Sequence, residues 1–242
     1  MEIIDYKDIK FIDNDIYNYG SYGSIKRCIL NDKLYICKEF KDLNYLNLKR
    51  RKLDLLGDID KKEIYTPKFW VKNNNLINSY LCDFFDGKDI CAVSDRPIEE
   101  KISVLKKAKQ SILTMHDIGI IHSDLIDSNI MYDNDNSIII DFDNCNYKKY
   151  KTNIVHTNDY SLKFISKYGV IKELDIFIFN LLTFSILNDR TFFMSINDIF
   201  LNEYGIFDSR DSKKICNSLL LEKSIPNKSY LIDTIDETNI KI

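Results

Sequence analysis

Two apolar runs that end in polar clusters constrain this chain more than any other feature. The first is "IIHSDLIDSNIMY", residues 120–132, and the second is "SIIIDFDN", residues 137–144. Short Ile-rich segments flanked by Asp, Asn and Ser read as buried strands joined by loops. Loops at strand ends carry function on a rigid scaffold. The first run holds His122, Asp124 and Asn129, and the second ends on Asp141. The fold must therefore bury apolar strands while gathering carboxylates and an amide at their ends.

The surrounding pattern divides the chain into a strand-rich first third and a helix-rich remainder, switching near residues 84–90. The first 40 residues read as strands, and "SIKRCIL" and "KLYICKEF" flank Asn31-Asp32 as a tight hairpin would. Residues 43–57 place Leu43, Leu46, Leu53 and Leu56 near helical spacing, with Gly57 as the stop. "PKFWVKNNNLINSYLCDFF" predicts two strands with an Asn-rich turn. Pro97 opens the clearest helix. Ile98, Ile102, Leu105, Ile112 and Leu113 lie on one side of it, and Gly119 sits past its end. "NIMY" and "SIIIDF" are short strands, and from about residue 160 the pattern is mostly helical. "IFIFNLLTFSIL", residues 176–187, is too short to span a bilayer and reads as a buried helix.

A hydrophobic fraction of 45% over 242 residues supports a real core. The net charge of -3 argues against a nucleic-acid-binding surface. Cysteines 28, 37, 82, 91, 145 and 216 show no C-x-x-C and no His in ligand spacing. They read as reduced thiols rather than a disulfide or zinc framework. The stretch "MEIIDYKDIKFIDND" has neither the basic start nor the apolar run of a signal peptide. A cytoplasmic protein without membrane or nucleic-acid partners is expected.

Asp124, Asn129 and Asp141 are hard oxygen donors, suited to Mg²⁺, with Mn²⁺ as a substitute. Magnesium takes few protein oxygens and completes its shell with water and phosphates. A nucleotide is the natural third party. Upstream, Gly20 and Gly23 lie in a strand–turn–strand pattern, where backbone N–H groups can approach phosphate oxygens. Lys38 follows "LYIC" in an apolar strand, where it can reach inward as a point charge.

The order of these features resembles the protein-kinase superfamily: Gly-rich hairpin, strand lysine, helix, H-x-D-x-x-x-x-N, then D-F-x. "SYLCDFFDG" is similar to the strand entering the family's hinge. "TMHDIGIIHSDL" resembles the helix that runs into the catalytic loop, and "ELDIFIFNLLTFSIL" the central helix of the large lobe. The resemblance covers about residues 15–190 and fades over roughly the last 50. It implies one α+β kinase-like domain over residues 1–242. An antiparallel-sheet N-lobe with one helix would span about 1–83, a hinge 84–87 and a helical C-lobe 88–242, with ATP and Mg²⁺ in the cleft between lobes.

By the same resemblance, Asp124 is the base for the attacking hydroxyl, and Asn129 and Asp141 hold the metal. Lys38 holds the α- and β-phosphates. Gly20, Ser21 and Gly23 form the loop over ATP, Ile25 and Ile36 line the nucleotide site, and the backbone at Asp83 and Phe85 holds adenine. Cys82 takes the gatekeeper place, while His122 and Asp175 brace the catalytic loop. The implied activity moves the γ-phosphoryl group to a hydroxyl, read as a protein Ser/Thr. The alternatives are an aminoglycoside- or choline-type small-molecule kinase and a nucleotide-binding pseudokinase.

Several positions depart from the family pattern. Asn18 stands at the first loop glycine. No glutamate is evident to pair with Lys38: the helix there is basic, "LKRRK", and its nearest acid is Asp54. "DFD" replaces D-F-G, and Asp143 lacks the conformational freedom of glycine. Ile126 takes the place of a catalytic-loop lysine. "YSLKF", residues 160–164, stands where A-P-E belongs. "YKKYK", residues 147–151, reads as a solvated loop and Trp70 as core. Thr152, Thr157, Tyr160 and Ser161 are candidate phosphorylation sites, and His116 and His156 are unassigned.

Overall fold

Two pairs of polar residues bend the strand-rich region into hairpins. Asn31 and Asp32 both have positive φ, as do Asn74 and Asn75. Two consecutive left-handed residues make the turn whose twist matches a two-residue hairpin. The computed structural model describes residues 1–12, 18–19, 23–152, 159–188, 209–219 and 226–235. The chain divides into two compact units, Met1–Asp86 with Ile140–Asp143, and Gly87–Ile139 with Asn144–Ile242.

The first unit is built on a seven-stranded sheet. Its strands are β1 (Glu2–Asp5), β2 (Lys10–Phe11), β3 (Asn18–Tyr19), β4 (Gly23–Leu30), β5 (Lys33–Phe40), β6 (Pro67–Asn73) and β7 (Leu76–Asp83). The order is β1-β6-β7-β5-β4-β2, with β3 also on β4. Every pairing is antiparallel except β1 with β6. The sheet is therefore mostly antiparallel, as expected, with one parallel pair at its edge. The opening strand lies parallel along the edge of β6, in the register Glu2 to Phe69 through Asp5 to Lys72.

Alternation along β5 decides the two faces of the sheet. Tyr35 and Cys37 join Ile9, Cys28, Leu30, Val71 and Leu81 in one apolar cluster. Ile36 and Lys38 point to the opposite face. There Ile25, Lys38 and Tyr80 stand in register across β4, β5 and β7, and Ile36 faces Cys82. The helix α1 (Leu43–Gly57) starts on Asp42, whose carboxylate accepts from the N–H groups of Asn44 and Tyr45. Its buried stripe is Tyr45, Leu46, Lys52, Leu53 and Leu56. A lysine in that stripe breaks the apolar pattern and requires a partner.

In the second unit, α2 (Ile98–Asp117) carries Glu99 and Glu100 in its first turn, where the helix dipole favours acids. It stops where Gly119 turns to φ +81, the left-handed conformation glycine adopts freely. A short hairpin, β10 (Ile130–Tyr132) with β11 (Ser137–Ile139), pairs also with β8 (Lys88–Asp89). Strand β9 (Ile120–Ile121) pairs with β12 (Asn146–Tyr147). The helices α3 (Asp159–Tyr168), α4 (Lys172–Leu187) and α5 (Arg210–Leu219) follow. All residues of α4 from Leu174 to Leu187 are buried, so the helix is enclosed on every side, and its polar members Asp175 and Asn180 are buried with it. Among the described residues no helix is long and apolar enough to cross a membrane.

Candidate functional site

The centre of the first unit is the Lys38 ammonium. Strand alternation turns it away from the apolar cluster, and the Ile140–Asp143 segment brings two carboxylates to it. Nζ lies 2.7 Å from Asp141 Oδ1 and 2.7 Å from Asp143 Oδ2. The lysine side chain is 12% exposed, Asp141 is 40% exposed and Asp143 only 4%. Burial pulls the Lys38 pKa down, but the charges of Asp141 and then Asp143 outweigh it and hold the group above its usual value. The lysine is a fixed cation at neutral pH.

Asp143 has further partners. The Tyr80 hydroxyl donates to its Oδ1 at 2.7 Å, and the Lys52 ammonium donates to its backbone oxygen at 2.7 Å. Burial first, and then the Asp143 charge, push the Tyr80 phenol well above its usual pKa, so it remains a donor. Phe40 and Trp70 pack on the Tyr80 ring at 5.6 and 6.3 Å between centroids. Asp141 itself has φ +62, a left-handed conformation uncommon outside glycine.

In the second unit, Asp175 near the start of α4 is fully buried and organises the loop after β9. Its carboxylate accepts from the backbone N–H of His122 and of Ser123, each at 2.8 Å, and faces His116 Nε2 at 3.0 Å. Ser123 sits at φ +64, and its hydroxyl donates to Asn144 O. A strained residue persists where its surroundings over-determine it. At the other end of the loop, Asn129 Nδ2 donates to Asp124 O at 2.8 Å. The Cys91 thiol donates to Asp127 at 2.9 Å. Asp124 is thus carried on a segment tied down on both sides.

Of the other residues singled out from the sequence, Gly20 and Ser21 lie outside the described residues. Gly23 opens β4, and a Cβ there would stand 2.2 Å from Glu39 O, so close strand approach alone demands glycine. Ile25 and Ile36 share the sheet face of Lys38. Asp83 pairs with Lys33, and the Phe85 ring meets Tyr65 edge-on at 5.8 Å. Asp54 is not the acid at Lys38. It accepts from Trp70 Nε1 at 2.6 Å and lies 3.4 Å from the Met1 ammonium. Trp70 is core, as expected. Thr152 and Ser161 are buried. Thr157 and His156 lie outside the described residues, as does the side chain of Tyr160.

Sequence reasoning missed Tyr80, Lys52 and the partner of His116. Lys52 carried a signal, since it falls seven positions after Tyr45 in the helix stripe. His116 did too, following Ile112 and Met115 on the buried face of α2. Tyr80 carried none beyond its place in a strand. A separate cavity of about 390 Å³ in the second unit is lined by residues including Lys214, Tyr230 and Asp233, and none of the candidate site residues lines it.

The family model described as the protein kinase domain matches residues 18–237, and the chain belongs to the protein kinase family. The match runs through the C-terminal stretch where the motif resemblance fades. A kinase-type phosphotransferase using ATP, a divalent metal and a hydroxyl-bearing substrate is what this family defines in general. No curated protein matches the chain.

Proposed function

We propose that this chain is an ATP- and Mg²⁺-dependent kinase that transfers the γ-phosphoryl group to a serine or threonine hydroxyl of a protein. The observation that carries this reading is the Lys38–Asp141 ion pair at 2.7 Å, joining residues 103 positions apart. It brings together the strand lysine and the post-strand acid that phosphoryl transfer needs for charge neutralisation. Lys38 holds the α- and β-phosphates. Ile25 and Ile36 would cover the base, whose edge would bond to the backbone at Asp83 and Phe85, and Gly23, with Gly20 and Ser21 outside the described residues, would serve the phosphates. Asp124 accepts the proton of the attacking hydroxyl.

The donor set fits a hard cation. Asp141 offers a carboxylate that is 40% exposed. Asn129 uses its N–H on Asp124 O, which leaves Oδ1 as its ligand atom. A bound Mg²⁺ or Mn²⁺ would supply charge compensation for the phosphates. No disulfide joins the six cysteines, which supports a reducing, cytoplasmic setting. A small-molecule acceptor is the second reading, favoured by Asp143 in place of glycine.

The test is transfer of labelled γ-phosphoryl to generic protein acceptors, aminoglycosides and choline, with Mg²⁺ or Mn²⁺. Asp124→Ala is expected to lower transfer by about 100-fold or more. Unchanged transfer in that variant overturns the assignment of the base. Equal activity in Lys38→Met removes the lysine's role. Transfer to a small alcohol but to no protein overturns the protein acceptor.

A further inference from the structure

Two departures from the family pattern, a basic helix and an acid after Asp-Phe, meet at one place in this fold. Lys52 occupies the buried stripe of α1, 2% exposed, and its ammonium bonds to the Asp143 backbone. Asp143 sends its carboxylate to Lys38 and to the Tyr80 hydroxyl. A buried charge needs a partner: Lys38 and the Tyr80 hydroxyl satisfy the Asp143 carboxylate, and the backbone oxygen of Asp143 accepts from Lys52.

We propose that Asp143 is the positioning residue for Lys38, doing what a glutamate on the helix would do, and that α1 carries the opposite charge, Lys52, to hold the segment bearing that carboxylate. The signs are exchanged: the helix brings the cation and the loop brings the anion. This rests on the phosphotransferase reading, in which Lys38 holds phosphates, and it deepens that reading by naming what orients the lysine. Asp141, 40% exposed, is the carboxylate that the proposed metal would reach. Asp143 is enclosed by Tyr80, Lys38 and the α1 lysine, so it keeps Lys38 extended along the sheet face whether or not ligand is present. Asp54, the only acid near the middle of α1, is occupied by Trp70 and the N-terminus and does not compete.

The experiment is a double-mutant cycle on the full chain, read as ADP affinity by calorimetry in EDTA and as the KM-against-kcat split for ATP. Asp143→Asn is expected to weaken ADP binding about tenfold, and to weaken it less than about twofold when Lys38→Met is already present. Independent, multiplying effects would overturn the proposal, because Asp143 would then act without Lys38. Asp143→Gly is expected to fall similarly and to regain at least about threefold when Lys52→Glu returns the acid to the helix. No regain with a folded double variant counts against the exchange. If Asp143 variants fail to fold, Tyr80→Phe replaces them: raised KM for ATP at unchanged kcat supports the role, and unchanged KM overturns it. Wild-type chain that binds ADP but transfers nothing defeats the phosphotransferase reading alone, since the affinity cycle still decides this one. If it binds no ADP, the cycle is read in urea unfolding, where additive losses overturn the pairing.

Discussion

Asp143 shows how much one residue type can decide. A glycine at that position would offer no carboxylate: the Tyr80 hydroxyl would lose its acceptor and Lys38 would keep only Asp141, while Lys52 would still find the backbone oxygen. Instead three side chains, with Lys52 on the backbone of Asp143, close a network with little solvent contact, where each hydrogen bond is worth more because the dielectric is low. Tyr80→Phe removes one donor to a buried carboxylate without changing shape. It should cost about 2 kcal/mol in urea unfolding. A loss below a few tenths of a kcal/mol would mean that the hydroxyl's bond to Asp143 contributes little to stability. Asp141 and Ser123 make the complementary point: both adopt left-handed φ without being glycine, and both sit beside residues to which we assign chemistry.

Among elements, α4 does the most organising. Its mass of buried apolar side chains anchors a single carboxylate, Asp175, against the two N–H groups of the loop after β9 and against His116 of α2. Asp175→Ala would orphan both N–H groups in a fully buried region. Loss of about 4 kcal/mol in chemical denaturation is expected, with transfer activity falling alongside. An Asp175→Ala chain as stable as wild type would mean the loop holds itself. Strand β5 organises by simpler means: period-two alternation sends Cys37 to the apolar cluster and Lys38 to the other face, and its hairpin partner keeps that register.

At the scale of the whole molecule, membership of the protein kinase family predicts that nucleotide binds the folded state. A ligand at 100 times its Kd stabilises by about 2.7 kcal/mol, so saturating Mg·ADP should raise the melting temperature by several degrees. Lys38→Met should abolish most of that shift. A wild-type chain whose melting is indifferent to nucleotide would contradict the binding reading at once. The family match also spans the C-terminal region, where α5 and the turn at Leu231–Thr234 belong to the second unit and Asn180 of α4 donates to Ser229 O and accepts from the Leu231 N–H.

What the sequence determined by itself was local. Its turn residues, helix stops and alternating strands follow from short-range sterics and burial, so the two hairpins, α2 with its Gly119 stop, and the buried α4 were legible from spacing alone. The order of Lys38, Asp124, Asn129 and Asp141 was legible for the same reason, being a pattern along the chain. The parallel edge strand, the bond between Lys52 and Asp143, and the engagement of Asp54 by Trp70 were not. Each joins residues far apart in sequence, and side-chain type alone does not say which distant partner a buried charge will find. Only the folded geometry brought the Lys38 ammonium and the Tyr80 hydroxyl to the carboxylate at 143 and the Lys52 ammonium to the backbone oxygen of that residue.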